Sequence, residues 1–168
     1  AGNGIDLLRD ATAAYPKMLR EIHSANHAIL LQSFIIAVDE IGRDILKALE
    51  YKASTGVEVK ILYDSFGSFW SAFYRMFNRF GRGIKTFKIR PFSLMNSFTR
   101  WRMQMRNHRK LLVVDGRVAF LGGINISAAN VPAKRHGDSA IHDLHCRIEG
   151  PAVGELELIF PRDWMYAA

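Results

Sequence analysis

Asp115-Gly116 stands between two short aliphatic runs, Leu111–Val114 and residues 118–121, and it constrains the chain more than any other feature. An Asp-Gly pair so flanked predicts a hairpin with a two-residue type I′ turn. Such a turn sets the register: Val114 against Arg117, Leu112 against Ala119, Lys110 against Leu121 and His108 against Gly123. Side chains alternate along a strand and paired residues share a face. His108, Lys110, Gly123 and, one pleat further, Asn125 are therefore expected together. Asp115 falls on the opposite face, at the turn, and reads as a structural residue of the hairpin.

The grouped residues suit a phosphate. Lys110 offers a point charge with three donors, and Asn125 offers amide donors. Gly122 and Gly123 carry no side chain, so backbone groups are expected to approach a bound phosphate there. His108 is the member that can serve as a nucleophile or as a general acid or base near neutral pH.

The charge distribution points to an anionic partner. The net charge is +7. Of 23 Lys and Arg, 11 lie within residues 65–114, a stretch with no Asp or Glu; the remaining 12 face all 16 carboxylates. Phospholipid headgroups and nucleic acid both fit such a block, as does a solvated basic face with no partner. Residues 90–106 interleave Phe92, Leu94, Met95, Phe98, Trp101, Met103 and Met105 with Arg100, Arg102 and Arg106. That mixture reads as an interfacial membrane segment or as a core-packed excursion with surface arginines.

With 168 residues, 49% of them hydrophobic, the chain is expected to form a single domain over 1–168. Its most apolar run, 28–38, contains Gln32 and Ser33 and is too short for a bilayer, which needs about 20 residues. The segment is thus expected to be soluble, without a transmembrane helix. No signal peptide is visible, and the Ala1-Gly2-Asn3-Gly4 start without Met suggests part of a longer protein. Cys146 is the single cysteine and reads as a buried thiol, with no disulfide or Cys-based metal site.

The rest alternates strands and helices. An edge strand is expected at 5–8, a helix at 11–26 and a buried strand at 28–36. Asp39 is an N-cap for a helix that Gly56 ends, followed by a buried strand at 57–63. Strand, helix, strand argues a parallel unit with a right-handed crossover. Residues 64–68 then form a turn at a strand's carboxyl end, where ligands of open α/β sheets bind. Phe69, Phe73, Phe77 and Phe80 make a helical stripe, packed in the core or facing lipid. A third strand is expected at 84–89, a loop at 127–140, a strand at 141–148 and a final helix from 152 to 160.

The pattern His108-x-Lys110-x4-Asp115-x6-Gly122-Gly123-x-Asn125 resembles the HKD signature of the phospholipase D superfamily, with Gly-Gly in place of a frequent Gly-Ser. Residues 142–153 and Phe160-Pro-Arg-Asp-Trp164 are similar to the tail of the first catalytic half of bacterial cardiolipin synthases, as are Asp39-x-x-Gly42, Gly56-Val57 and Asp64-Ser-x-Gly67. Gln32 stands where many members carry Glu. The resemblance implies a phospholipase D-like half-domain, with a mixed, mostly parallel sheet and helices on both faces. It implies that His108 attacks phosphorus to form a phosphohistidine, and that a second histidine protonates the leaving alcohol. Asp143 matches an acid that bonds the catalytic imidazole, fixing its tautomer; His142 and His145 read as flanking structural or surface groups. No metal or other cofactor is implied.

None of His23, His27, His136, His142 and His145 begins a second His-x-Lys, so the chain is expected to supply half a site. The other half lies in the same full-length protein or in a second copy. Three functions follow. The first is a phosphatidyltransferase half-domain, associated with the bacterial inner membrane in the full-length protein and acting on anionic phospholipid. The second is a homodimeric phosphodiesterase or endonuclease that cuts nucleic acid. The third is a non-enzymatic module that binds anionic membranes.

Overall fold

The computed structural model describes residues 2–64, 83–89, 108–131 and 142–167. Strands β1 (Gly4–Arg9), β2 (Ala28–Ser33), β3 (Glu58–Asp64), β4 (Lys85–Ile89), β5 (Leu111–Val114), β6 (Val118–Gly122) and β7 (Leu144–Glu149) form one sheet. Their spatial order is β1-β7-β6-β5-β2-β3-β4. Helices α1 (Asp10–Ser24) and α2 (Glu40–Ser54) cover one face; α3 (Ala152–Glu157) and α4 (Ile159–Ala167) pack on the other.

The α/β class and the two helical layers agree with expectation, but the sheet is mostly antiparallel. Among the described strands only the β2–β3 and β3–β4 pairs run parallel. The β2-α2-β3 crossover accounts for the β2–β3 pair. The hairpin reverses the chain, which forces β5 and β6 antiparallel. β7 then adds antiparallel to β6, and β1 to β7.

Two apolar layers hold the sheet. Met18 and Ile22 of α1 and Ile45, Leu46 and Leu49 of α2 meet Leu31, Val59, Ile61, Leu112, Val114 and Phe120. On the other face Leu30, Leu62, Leu111, Val113 and Ala119 meet Val153 and Phe160. β2 and β5 are thus buried on both sides, which is why their sequences are continuous apolar runs and do not alternate.

The hairpin has the expected turn but a different register. Asp115 (φ 54°) and Gly116 (φ 60°) are both left-handed, as a type I′ turn requires, and Arg117 N–H donates to the Val114 carbonyl at 3.0 Å. Val114 nevertheless pairs with Val118, Leu112 with Phe120 and Leu111 with Leu121. Arg117 is an extra, bulged residue. In the expected register Arg117 would share the face of Leu112 and Val114, inside the α1–α2 core. The bulge turns it out to bond Glu21 at 2.6 Å and puts Val118 and Phe120 inward instead.

Asp39 caps α2 as expected, accepting from Gly42 N–H at 3.0 Å. Its other oxygen accepts from Ala128 N–H at 2.7 Å and Ser127 Oγ at 3.2 Å, so the same carboxylate ties down the loop after β6. A Cβ on Gly42 would sit 1.9 Å from the Ala37 carbonyl oxygen, which explains the bare residue in Asp39-x-x-Gly42. The final helix is broken at Leu158 and resumes as α4. Pro161 has no N–H for the Glu157 carbonyl four residues back, and it sits in the first turn of α4, where that loss is tolerated.

The phenylalanine stripe 69–80, the turn 65–68, the basic segment 90–106 and residues 132–140 of the expected loop lie outside the described residues. Among the described residues no helix is long and apolar enough to cross a membrane.

Candidate active site

Strand directions collect the polar residues at one edge of the sheet. β5 runs antiparallel to β2, with Leu111 opposite Gln32. Residues just before β5 therefore lie beside those just after β2. The end of β6 and the start of β7 meet at the same edge, where Gly122 pairs with His145. This edge is the carboxyl end of β2 and β3.

Lys110 is the centre of the group. It is only 5% exposed and stands on the α1 face, one pleat before Leu112. Its Nζ lies 2.8 Å from His108 Nδ1 and 2.8 Å from the His108 carbonyl oxygen. An ammonium has donors only, so with Lys110 charged Nδ1 accepts and a neutral ring carries its proton on Nε2. His108 is exposed, and its ring packs against Phe34 with centroids 4.4 Å apart. Burial pulls the Lys110 amine below its ordinary value, and the nearby Asp143 carboxylate acts the other way.

The bareness of Gly122 and Gly123 also serves the chain's own packing. Their N–H groups are engaged, Gly123 with the Leu144 carbonyl at 2.9 Å and Gly122 with the Lys110 carbonyl at 3.4 Å. The space a side chain would fill is taken by β7. A Cβ on Gly123 would lie 2.0 Å from Asp143 Oδ1, and one on Gly122 would lie 2.7 Å from His145 Nδ1. The Gly-Gly pair thus admits Asp143 and His145 to the site.

Asp143 reaches the site this way but makes no hydrogen bond to His108 here. Its Oδ1 accepts from Leu144 N–H at 2.8 Å. His145 is 2% exposed, and burial pulls its imidazole down to about 4, so it is neutral at pH 7. It is a buried packing residue behind Lys110. His142 is exposed and bonds Asp10 at 3.0 Å.

Asn125 makes no hydrogen bond to His108 or Lys110. Its Oδ1 accepts from Ile35 N–H at 3.2 Å, which orients the amide and leaves Nδ2 as a donor. Tyr15 ties down the same loop: its hydroxyl shares its single proton between the carbonyls of Asn125 and Ser127 and accepts from Ser127 N–H. Burial pushes the Tyr15 hydroxyl up to about 12, so it stays protonated. Asp115 lies at the opposite end of the hairpin, where its carboxylate accepts from the N–H groups of Asn26, His27 and Ala28 at 2.8, 2.8 and 2.9 Å. Burial alone would raise this carboxyl, but the three N–H bonds hold it below its ordinary range.

Sequence reasoning missed Asp163. Gln32 Nε2 donates to it at 2.8 Å, and Arg109 donates to both its oxygens at 2.9 and 2.7 Å. The residue between His108 and Lys110 is thereby clamped to α4. Asp163 stands in the Phe160-Pro-Arg-Asp-Trp164 tail, but no spacing relates it to Arg109. Among the described residues, no cluster of three or more His, Cys, Asp or Glu is arranged to hold a metal.

A cardiolipin synthase of Clostridium perfringens is 39% identical over 165 residues, covering 98% of this chain and 34% of that protein. Cardiolipin synthase 1 of Staphylococcus aureus is 37% identical over 164 residues, covering 96% and 32%. The chain therefore spans about a third of the length of these relatives. The fold is that of NUC, a phospholipase D family member from Salmonella typhimurium: TM-score 0.74, 20% identity, covering 99% of this chain and 97% of that one. The family model described as cardiolipin synthase, phospholipase D-like domain, matches residues 18–164, and the chain belongs to that family.

Proposed function

We propose that this chain supplies one half of the active site of a phospholipase D-type phosphatidyltransferase that makes cardiolipin or a similar phospholipid. The full-length protein works at the bacterial inner membrane, on anionic phospholipid, without a metal or other cofactor. The carrying observation is the buried Lys110 ammonium bonded to His108 Nδ1, beside an Asp143 carboxylate admitted by Gly123. This is a charged anion site built around an exposed imidazole.

In this reading the donor's phosphodiester draws Lys110 Nζ off His108 Nδ1, because a phosphate oxygen is the stronger acceptor for an ammonium. The ring then carries its proton on Nδ1, towards Asp143, whose Oδ2 has no hydrogen-bond partner among the described residues. His108 Nε2 attacks phosphorus, a P–N bond forms and the P–O bond to the donor's alcohol breaks. A histidine of the second half gives that oxygen its proton. The acceptor alcohol loses its proton to the same histidine and attacks the phosphohistidine, releasing His108. Lys110 and Asn125 Nδ2 hold the phosphoryl oxygens throughout.

The test is covalent trapping. The complete enzyme, mixed with phosphatidylglycerol and quenched in alkali, is expected to carry a phosphatidyl group on the peptide containing His108. An adduct on a different residue would contradict the assignment. Cleavage of nucleic acid by a homodimer, without lipid turnover, would favour the second reading, which the block of 11 cations in residues 65–114 supports.

A further inference from the structure

We infer that Asp10 is a positioning residue for Asp143, its left-handed backbone and its carboxylate acting together. This rests on the reading of Asp143 as the acid that steadies His108. Asp10 has φ +64°, in the left-handed region that most residues with a Cβ avoid and that Asp and Asn enter more readily. It is 8% exposed and lies at the junction where β1 becomes α1.

The geometry shows what this conformation accomplishes. β1 pairs with β7 as far as Arg9 opposite Leu144. Asp10 continues that ladder by one residue, and its N–H donates to the Asp143 carbonyl at 2.9 Å. At φ +64° the chain then turns into α1, which takes the Asp10 carbonyl away from β7. The Asp10 side chain replaces it: Oδ1 accepts from Asp143 N–H at 3.1 Å. The other oxygen, Oδ2, meets His142 Nδ1 at 3.0 Å. Asp10 thus holds the Asp143 main chain through both its N–H and its carbonyl and holds the residue before it by the ring. Gly123 N–H, bonded to the Leu144 carbonyl, fixes the residue after it. The Asp143 carboxylate emerges between these holds, over the Cα of Gly123 and beside Lys110.

A merely structural junction would be served better by glycine, which adopts φ +64° without steric penalty. Glycine lacks the carboxylate, however, and would leave Asp143 N–H without its acceptor. Asparagine tolerates the left-handed region and keeps an acceptor oxygen.

The experiment compares Asp10→Gly, Asp10→Asn and Asp143→Asn in the complete enzyme, reading kcat, KM and thermal midpoint. Asp10→Gly is expected to lower kcat by about tenfold to a hundredfold with KM nearly unchanged, as a misplaced catalytic group does. Its thermal midpoint should not account for the loss. Asp10→Asn should keep kcat within about threefold, a change below ~0.7 kcal/mol. In an Asp143→Asn background, Asp10→Gly should add no further loss of kcat, because both act on one group. Asp10→Gly with kcat unchanged, while Asp143→Asn is impaired, would overturn the inference alone. A loss in Asp10→Asn beyond about tenfold would overturn it too, even if the glycine variant does not fold. Full activity in Asp143→Asn would overturn the reading of Asp143 on which it rests.

Discussion

The two ends of the β5–β6 hairpin make opposite use of their polar groups. At the turn, the Asp115 carboxylate accepts three N–H bonds from residues 26–28, and its own N–H donates to the Ala28 carbonyl at 2.8 Å. Its bonding capacity is spent on joining the turn to the segment between α1 and β2. At the open end, Lys110 is buried between an imidazole and a carboxylate, while Asn125 Nδ2 and Asp143 Oδ2 have no hydrogen-bond partner among the described residues. One pair of strands thus has a scaffold end and an open end. What separates them is whether polar capacity is consumed by the protein's own backbone or left for something else.

That contrast is tested most strongly by His108→Ala. If the open end carries the chemistry, the complete enzyme should lose on the order of 10⁶ in kcat, while the exposed site leaves the thermal midpoint nearly unchanged. Retention of more than about a tenth of the activity would remove His108 from the mechanism. Gly123→Ala sharpens the same point without touching a polar group. Its Cβ falls 2.0 Å from Asp143 Oδ1, so the carboxylate must move. A loss of about a hundredfold in kcat is expected, with a stability loss of about 1–3 kcal/mol. Unchanged activity would show that Asp143 need not stand where it does.

The buried His145 gives the open end a signature in acid. Its imidazole falls from an ordinary 6.5 to about 4 in the folded chain. Between those values the unfolded chain holds the extra proton, so stability is full above 6.5 and is lost as pH falls towards 4. The loss is up to about 3 kcal/mol. Urea unfolding at pH 7 and pH 4.5 should show His145→Gln less sensitive to acid than the native chain. Equal slopes would remove His145 as the cause. At the turn end, Asp115→Ala should cost about 1–3 kcal/mol by leaving N–H groups at 26–28 without their acceptor, yet leave kcat within about twofold. A large loss of kcat there would erase the distinction between the two ends.

The same contrast explains what could be read from the sequence. The type I′ turn is encoded locally in Asp115-Gly116 and was legible. The bulge at Arg117 was not, because it depends on Glu21, 96 residues away in sequence, and on which side chains the α1–α2 core must receive. Asp39 announced itself as a cap, yet nothing local shows its second bond to Ala128. Gly122-Gly123 was read as a place where backbone meets a phosphate; that Asp143, just before β7, and His145, within it, pack over the pair depends on a strand added later in the chain. The parallel unit followed from strand-helix-strand order; the antiparallel majority followed from β1 and β7 docking beside the hairpin, a tertiary choice. Asp10 at φ +64° left no signal, since an Asp before a helix reads as an ordinary acidic first turn.

One chain is expected to bring one half of a site. Mass in solution and phosphodiester turnover, measured on a single preparation of this 168-residue chain, test it most directly. A folded monomer without turnover is expected, with activity appearing only when a second half or a second copy completes the site. A strictly monomeric preparation with robust turnover, abolished by His108→Ala, would contradict it.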